Sequence, residues 1–249
     1  MGKGAPNFTI LPDAEAVARA AAERMVARLA APRERFAVCL TGGSSPEGLY
    51  RRLASEPYRS RVPWERTHWF WGDDRFVPLD DPRSNAGMAR RLFLDHVPVP
   101  PGNVHPMPTD APDVDDAARR YEAELRAFYG AADRLDPKTP LFDVVLMGVG
   151  SDGHTASLFP GQPQVEETER WVVGVPEAGL EPFVPRVSLT LPALAAAREM
   201  LFLVTGRGKR EVIARVLAEP DLPAARAFAH GDLVWLLDRD ASPERRDVA

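Results

Sequence analysis

The chain has 249 residues, of which 45% are apolar, and 31 basic against 36 acidic side chains give a formal net charge of −5. This length fits one large α/β domain or two small ones, and the acidic balance argues against a general nucleic-acid or membrane-surface binder while leaving room for a local basic pocket. Cys39 is the only cysteine, which excludes a disulfide framework and a cysteine-based zinc cluster.

Apolar residues at helical and strand spacing predict alternating helices and strands along the chain. Helices are predicted over residues 13–31, 46–55, 84–96, 114–129, 192–198 and 208–218. Strands are predicted over residues 35–40, 67–71, 142–149, 171–175, 187–189, 200–204 and 233–237. Asp13 and Ser45 are suited to cap the first two helices, with Pro46 at the first helical position of the second. The segment 142–149 is almost wholly apolar, as expected in the middle of a parallel sheet.

Strands that alternate with helices predict an α/β fold with a mostly parallel, Rossmann-like sheet and helices on both faces. The sequence shows no repeat and no linker, so we expect a single domain over residues 1–249. In open α/β sheets the ligand site lies at the carboxyl ends of the strands. Polar clusters follow such ends at residues 41–45, 72–75, 150–154 and 205–209, and we expect them to share one rim.

The first polar cluster combines a Gly-rich turn with a predicted helix start. Gly42 and Gly43 allow the backbone to approach a ligand closely, and the free N–H groups at the start of a helix favour an anion. No Gly-Lys-Ser/Thr follows, so the turn is not a Walker A loop. With Ser44 and Ser45 the two glycines predict a phosphate site, although a tight strand-to-helix turn would show the same pattern.

The third cluster offers a candidate general base. Residues 148–153 match the G-x-G-x-x-G dinucleotide fingerprint, but Pro160 and Gly161 stop the chain where that fingerprint needs a long helix. His154 follows this loop, two residues after Asp152. A carboxylate there can fix the ring tautomer and raise the basicity of the ring, which suits general-base catalysis. The two residues could also belong to a metal site, but no third ligand is evident.

Basic residues near strand ends are candidate anion contacts. Lys209 begins a helix after a Gly-rich turn, where a cation and helix N–H groups can bind phosphate together. Arg75 follows the Asp73-Asp74 pair, of which at most one should enter the site because neighbouring strand residues point to opposite faces. Arg186 precedes its predicted strand, which puts it at the opposite end unless the preceding segment loops back. Each of these cations could equally be a surface charge.

Five ordered motifs resemble those of the 6-phosphogluconolactonases in the glucosamine-6-phosphate deaminase/6-phosphogluconolactonase family. They are LTGGSSP at 40–46, WGDDRFVP at 71–78 with Ser84-Asn85 downstream, GVGSDGHTASLFPG at 148–161, PRVSLT at 185–190 and GRGK at 206–209. The family usually has Glu where this chain has Asp74, which is a conservative departure. The resemblance covers nearly the whole chain, loosely to Asp238.

The resemblance implies a fold shared with glucosamine-6-phosphate deaminases and ribose-5-phosphate isomerases. It also implies hydrolysis of 6-phospho-D-glucono-1,5-lactone to 6-phosphogluconate in the pentose phosphate pathway, without a metal or organic cofactor. The family's catalytic histidine falls on His154, and its phosphate contacts fall on the Gly42-Gly43 loop, Arg186 and Lys209. Arg75 also belongs to the family's site.

On these positions we expect His154 to take a proton from a water that attacks the lactone carbonyl. Asp152 or Asp73 would orient the ring, and Arg75 or loop N–H groups would stabilise the oxyanion. A lactone is an activated ester, so no covalent intermediate is needed. The serines of the two Gly-rich loops, Ser44, Ser45 and Ser151, have no evident base of their own.

The sequence alone leaves two rival functions open. A deaminase or isomerase of the same fold would follow Asp-Gly-His with a segment that carries Asn-Glu, whereas residues 157–160 read Ser-Leu-Phe-Pro. A non-catalytic sugar-phosphate sensor would need a DNA-binding or partner module. No apolar run follows the N-terminus and none approaches the roughly 20 residues of a membrane span. We therefore expect a cytoplasmic enzyme, monomeric or a small homo-oligomer, whose partner is a sugar-phosphate lactone and not a nucleic acid or a membrane.

Overall fold

The computed structural model describes residues 8–130 and 134–243. The helices are α1 (Ala14–Leu29), α2 (Glu47–Leu53), α3 (Asn85–Leu92), α4 (Val114–Tyr129), α5 (Leu191–Ala195), α6 (Arg210–Ala218) and α7 (Pro223–Arg226). The strands are β1 (Phe8–Leu11), β2 (Phe36–Leu40), β3 (Thr67–Trp71), β4 (Asp73–Arg75), β5 (Val144–Met147), β6 (Val172–Val175), β7 (Arg186–Leu189), β8 (Glu199–Val204) and β9 (Asp232–Asp238). Both ends of the expected 1–249 domain lie outside the described residues.

A six-stranded sheet in the order β1-β9-β8-β5-β2-β3 forms the centre of the fold. Every pairing within it is parallel, which confirms the predicted parallel α/β architecture. From β2 the chain proceeds to β3 on one side, whereas from β5 it proceeds to β8 and β9 on the other. The strand order therefore reverses between β2 and β5, and α/β proteins bind ligands above such a reversal.

Helices cover both faces of this sheet because its strands are apolar on both sides. In β2, Phe36, Val38 and Leu40 pack into one core with α1, α2 and α3, while Ala37 and Cys39 pack into another with α4 and α6. Successive residues of a strand point to opposite faces, so a continuous apolar run supplies both cores. Cys39, within this apolar run, is fully buried.

A second sheet of three antiparallel strands, in the order β4-β7-β6, was not predicted. Strand periodicity identified β6 and β7 but not their pairing, and β4 is too short to show a pattern. The new sheet begins where Gly72 leaves the main sheet, since its carbonyl accepts the backbone N–H of Leu189 at 2.8 Å. Arg75 lies directly opposite Arg186 in the β4–β7 register. Antiparallel pairing therefore turns Arg186, at the start of its strand, toward the end of β4, which corrects its expected position.

Several predicted boundaries need correction. Asp13 caps α1 as predicted, accepting the backbone N–H of Ala16 at 2.8 Å. The prediction that Ser45 caps α2 was wrong, because Pro46 occupies the N-cap without a side-chain cap and the Ser45 hydroxyl lies 3.1 Å from that of Thr205. Strand β5 is shorter than predicted, since the side chain of Asp143 accepts the backbone N–H of Ala37 just before it begins.

The remaining differences concern short elements and helix ends. The helix predicted over 84–96 ends at Leu92, followed by a 3-10 turn at Leu94–His96. Helix α5 ends before Arg198, and a 3-10 turn at Arg207–Lys209 precedes α6. Strand β1 and helix α7 were not predicted, as each has only four residues. Within the described part of the chain, the helices are too short or too polar to cross a membrane.

Candidate active site

One cleft of about 240 Å³ lies above the carboxyl ends of β2, β5 and β8 and beside the paired strands β4 and β7. Residues from all four polar clusters line it. The lining consists of Thr41, Gly42, Gly43, Ser44, Ser45, Asp73, Arg75, Asn85, Gly148, Val149, Gly150, Ser151, His154, Ala156, Leu180, Arg186 and Lys209. The shared rim expected from the sequence is therefore present in the structure.

His154 and Asp152 form a close pair at the β5 end of the cleft. His154 Nδ1 lies 2.6 Å from Asp152 Oδ1, and the ring packs on Phe159 with centroids 4.6 Å apart. No second hydrogen bond to the ring occurs within the described residues, so Nε2 is available to a ligand. Burial disfavours the Asp152 carboxylate, but the hydrogen bond and charge of His154 outweigh it and lower the pKa of Asp152. The pair thus has the geometry of a base and its orienting carboxylate.

The loop after β5 can hold this pair only because it contains glycines. A Cβ atom on Gly150 would lie 2.1 Å from His154 Nδ1 and 2.8 Å from Asp152 Oδ1. The Gly150 N–H donates to the His154 carbonyl at 2.9 Å, which closes the loop onto itself. Gly153 has a φ of 93°, a conformation that residues with a side chain rarely adopt. The glycines of the G-x-G-x-x-G pattern here make room for the histidine–carboxylate pair, and the long helix that a dinucleotide fingerprint needs does not follow in the described part of the chain.

Asp73 and Asp74 point to opposite sides of β4, as predicted. Asp73 lines the cleft and accepts the hydroxyl hydrogen of Ser157 at 2.7 Å, whereas Asp152 is the carboxylate that contacts His154. Asp74 is buried and accepts the backbone N–H groups of Asn85 and Ala86 at the start of α3. Burial raises the pKa of Asp74 to about 6, although these N–H groups favour its ionised form.

Asn85 connects three parts of the cleft and is absent from the site residues proposed from the sequence. Its Nδ2 donates to the Asp73 carbonyl at 2.9 Å, and its Oδ1 accepts from Arg75 Nη1 at 2.5 Å. A Cβ atom on Gly42 would lie 1.9 Å from Asn85 Oδ1, so the first Gly-rich loop packs directly on this amide. The only sequence signal for Asn85 was its place after the second motif. Ser157, which holds Asp73, was also missed.

Three cations, Arg75, Arg186 and Lys209, line the cleft without a carboxylate partner among the described residues, and the side chains of the last two donate only to carbonyl groups. Arg186 is 4% exposed, and its guanidinium donates only to the carbonyls of Val184 and Pro182, at 3.1 and 2.9 Å. Lys209 Nζ donates to the Val149 carbonyl at 2.6 Å. Burial lowers the pKa of both groups, a shift that Asp73 opposes at Arg186 and Asp152 opposes at Lys209.

The electrostatics of this arrangement favour an anion. Arg75 and Arg186 face each other across the β4–β7 pair, where like charges destabilise a sheet. The charge of Arg75 further lowers the pKa of Arg186. An anion bound between these cations would relieve their repulsion and the cost of their burial. Within the described residues, no group of three or more histidine, cysteine or acidic side chains could hold a metal ion.

Comparisons with known proteins agree with this geometry. Residues 12–235 match the family described as glucosamine-6-phosphate isomerases/6-phosphogluconolactonase. The chain is 41% identical over 249 residues to a 6-phosphogluconolactonase of Streptomyces coelicolor, covering 96% of this chain and 94% of the relative. It is 39% identical over 225 residues to a 6-phosphogluconolactonase of Synechocystis, covering 89% of each.

A solved structure gives the same result. The 6-phosphogluconolactonase of Thermotoga maritima superposes with a TM-score of 0.80 at 30% sequence identity, over 94% of this chain and 100% of that one. A monomeric glucosamine-6-phosphate deaminase shares the fold, with a TM-score of 0.78 at 21% identity. The resemblance drawn from the five motifs is thus confirmed, and the chain is an enzyme of the glucosamine-6-phosphate isomerase/6-phosphogluconolactonase family.

Proposed function

We propose that this enzyme hydrolyses 6-phospho-D-glucono-1,5-lactone to 6-phospho-D-gluconate. The observation that carries the proposal is the combination, in one cleft, of cations without carboxylate partners and a histidine–carboxylate pair with a free ring nitrogen. The cations suit the phosphate of the substrate, and the pair suits the activation of water at its lactone carbonyl. The lactonase relatives at 39% and 41% identity favour this substrate over an amino sugar phosphate.

The phosphate binds to Arg186, Lys209 and the backbone of the loop at residues 42–45. Both cations are already held by carbonyl groups, so little side-chain freedom is lost when the anion arrives. Ser44 and Ser45 lie on the same wall and can donate hydroxyl hydrogens. Binding at this end orients the lactone ring toward the other end of the cleft.

His154 acts as general base in the hydrolysis. Its Nε2 accepts a proton from water as the water oxygen bonds to C1, and the carbonyl oxygen takes up the negative charge. Arg75, fixed by Asn85, supplies positive charge to this wall of the cleft. When the tetrahedral intermediate collapses, the C1–ring oxygen bond breaks and His154 returns the proton to the ring oxygen. General-base assistance of this kind contributes about 10²–10⁴ in rate.

Asp152 orients the ring and stabilises its protonated form. Its contact with Nδ1 leaves Nε2 as the nitrogen that exchanges protons with the substrate. Asp73 is engaged by Ser157 and shapes the wall instead. Of the two carboxylates that the sequence left open, the geometry therefore supports Asp152.

The reaction is tested by acid release from freshly generated lactone, after subtraction of the spontaneous rate. His154→Ala is expected to lower kcat/KM by about 10²–10⁴ while the fold and the binding of 6-phosphogluconate persist. His96→Ala is a matched control, since His96 is exposed and contacts only the carbonyl of Arg91. A wild-type rate equal to background would reject the lactonase and favour a deaminase or a sensor. Activity that survives in His154→Ala would keep the function and reject the base.

We further propose that the chain forms one domain and works as a monomer or small homo-oligomer. We place its activity in the cytoplasm, in the oxidative pentose phosphate pathway. The lactonase relatives include bacterial proteins and one described as chloroplastic. Light scattering after size-exclusion chromatography gives the molar mass in solution. A mass above that of a tetramer would contradict the small assembly, and two separate unfolding transitions would contradict the single domain.

A further inference from the structure

A second concave site lies at the opposite edge of the main sheet, where the strands begin. Arg198 comes directly before β8, and His230 lies two residues before β9. Strand β8 has six residues, so this edge is about 20 Å from the catalytic cleft. The site, here called the amino-end pocket, has a volume of about 310 Å³. Its charged lining consists of Arg28, Arg33, Lys138 and Arg198, with His230 beside them and no carboxylate in the wall.

The carboxylates behind the wall do not neutralise this charge. Glu199 pairs with Arg24 and Arg28, and Asp232 pairs with Arg28 as well. Asp143 pairs with Arg33 and Arg198. With Lys138 there are five cations, and with Asp136, which accepts the backbone N–H of Lys138, there are four carboxylates. Among the described residues, one positive charge therefore remains in excess.

The arginine donors are only partly used. Arg33 Nη1 and Arg198 Nε each lie 3.3 Å from the same oxygen, Asp143 Oδ1, while Oδ2 accepts the backbone N–H of Ala37. Each guanidinium has five N–H donors, so most of those on Arg33 and Arg198 have no partner within the described residues. Burial and the neighbouring charge of Arg33 lower the pKa of Arg198, which reflects the crowding of cations here.

Lys138 is held at the mouth of the pocket by a fixed turn. The Thr139 N–H donates to the Asp136 carbonyl at 2.9 Å, and Asp136 Oδ1 accepts the Lys138 backbone N–H at 2.9 Å. Tyr129, at the end of α4, donates its hydroxyl hydrogen to the Thr139 carbonyl. The Lys138 ammonium has no hydrogen bond or ion pair among the described residues. Pro137 and Pro140 stiffen the backbone of this turn, from which the exposed Lys138 side chain extends.

Gly231 fixes the opposite wall. A Cβ atom on Gly231 would lie 2.0 Å from the Arg198 carbonyl, so only glycine allows this close approach. The Gly231 N–H donates to the Ala197 carbonyl at 3.0 Å, and the Asp232 N–H donates to the Arg198 carbonyl at 2.9 Å. The backbone that carries Arg198 and His230 is therefore locked, and the pocket exists before any ligand binds.

We propose that the amino-end pocket binds a small anion that carries two linked phosphate groups. Free guanidinium donors and an unpaired ammonium match phosphate oxygens in geometry and in charge. Unused donors on three separate side chains, Arg33, Arg198 and Lys138, and a volume larger than that of the catalytic cleft suit a diphosphate better than a single phosphate. Because the pocket shares no residue with the catalytic cleft, the proposal does not depend on the lactonase function.

The chain offers a direct test because it has only three lysines, of which Lys138 lies in this pocket and Lys209 in the catalytic cleft. Reductive methylation with ¹³C-labelled formaldehyde keeps their charge and gives each lysine its own NMR signal. Lys138→Arg and Lys209→Arg assign the two signals. Titration with pyrophosphate is expected to shift the Lys138 signal saturably, with a Kd at or below about 1 mM. Inorganic phosphate is expected to bind at least tenfold more weakly.

Charge removal completes the test. Arg33→Gln and Arg198→Gln are each expected to weaken pyrophosphate binding at Lys138 at least fivefold. Arg59→Gln is the matched control, since Arg59 is exposed and its side chain lies outside the pocket. Lys138→Gln lies on a surface turn and tests the site by calorimetry if either arginine variant unfolds. A Lys138 shift that does not saturate would overturn the site, and so would an equal loss of affinity in Arg59→Gln. Equal affinities for inorganic phosphate and pyrophosphate would overturn the requirement for two phosphate groups.

Discussion

Two histidine–carboxylate pairs in this chain have the same contact distance but different surroundings. In the cleft, His154 Nδ1 lies 2.6 Å from Asp152 Oδ1, and beside β3, His105 Nδ1 lies 2.6 Å from Glu124 Oε1. The two imidazole side chains are 19% and 14% exposed. Neither the distance to the carboxylate nor the burial of the ring therefore distinguishes the pair proposed to be catalytic from the other pair.

The difference lies at the second ring nitrogen. His105 Nε2 is 3.0 Å from His68 Nδ1, and its ring stacks on Phe70 with centroids 4.3 Å apart and planes 6° apart. The ring of His154 makes no second hydrogen bond within the described residues and faces the cleft. A ring with both nitrogens bound to protein stabilises the fold, whereas one with a free nitrogen at a cavity can move a proton. The comparison predicts that the two carboxylates have separable effects.

The largest expected difference concerns activity. Asp152→Asn removes the charge that stabilises protonated His154 and offers an amide that can favour the wrong tautomer, so kcat is expected to fall about a hundredfold with little change in KM. Glu124→Gln makes the same kind of change at the other pair and is expected to leave kcat within about twofold of wild type. Steady-state hydrolysis of the lactone measures both. A similar loss of kcat in the two variants would show that the free nitrogen is not what separates the pairs.

The second difference concerns stability. His105→Ala removes a ring stacked on Phe70 and leaves the partner nitrogen of His68 without its hydrogen bond. The free energy of unfolding is expected to fall by about 2 kcal/mol, the sum of lost packing and an unsatisfied polar group, while kcat stays unchanged. Urea denaturation at pH 7 measures the effect, with His96→Ala as the surface control. An unfolding free energy within about 0.5 kcal/mol of wild type would remove the structural role assigned to this ring.

The two pairs also mark what sequence reasoning can find. Asp152 and His154 are two residues apart in a Gly-rich loop after an apolar strand, so their contact is local, and the sequence offered it as one of two alternatives, the other being Asp73. His105 and Glu124 are 19 residues apart and lie on different elements, a loop and α4, so no local pattern joins them. The sequence therefore gives no signal that pairs His105 with Glu124.

The distinction between local contacts and contacts of distant segments also applies to the fold. The main sheet was predictable because long apolar strands alternate with helices, and the order of such units favours parallel pairing. The antiparallel sheet was not, because β4 has three residues and its pairing with β7 depends on a chain reversal about 110 residues downstream. Arg186 illustrates this limit. The family resemblance placed it in the site, but only the β4–β7 pairing shows how a residue at the start of its strand reaches the cleft.

Asn85 shows a further limit. Its role depends on contacts with Gly42, Asp73 and Arg75, which lie on two other segments of the chain. Sequence periodicity describes which face of an element is buried, not which polar side chain bridges two loops. The residues that bear charge were therefore identified, whereas the amide that positions them was not.

The third difference concerns pH and tests His68, the histidine that contacts His105. Burial, together with the charges of His105 and Arg35, lowers the pKa of His68 to about 4. In the unfolded chain the pKa of a histidine is about 6.5, so the unfolded state binds this proton more readily between these two values. The contribution of neutral His68 to stability is therefore complete above pH 6.5 and is lost as the pH falls toward 4.

Urea denaturation of wild type and His68→Gln between pH 7.5 and 4.5 measures this contribution as a difference. The unfolding free energies of the two proteins are expected to converge as the pH falls, because only wild type loses the buried neutral imidazole. Asp74, whose pKa burial raises to about 6, titrates in both proteins and cancels from the difference. A difference in unfolding free energy that stays constant with pH would mean that the pKa of His68 is the same in the folded and unfolded states. The stacked rings of His68, His105 and Phe70 would then stabilise the protein through packing alone.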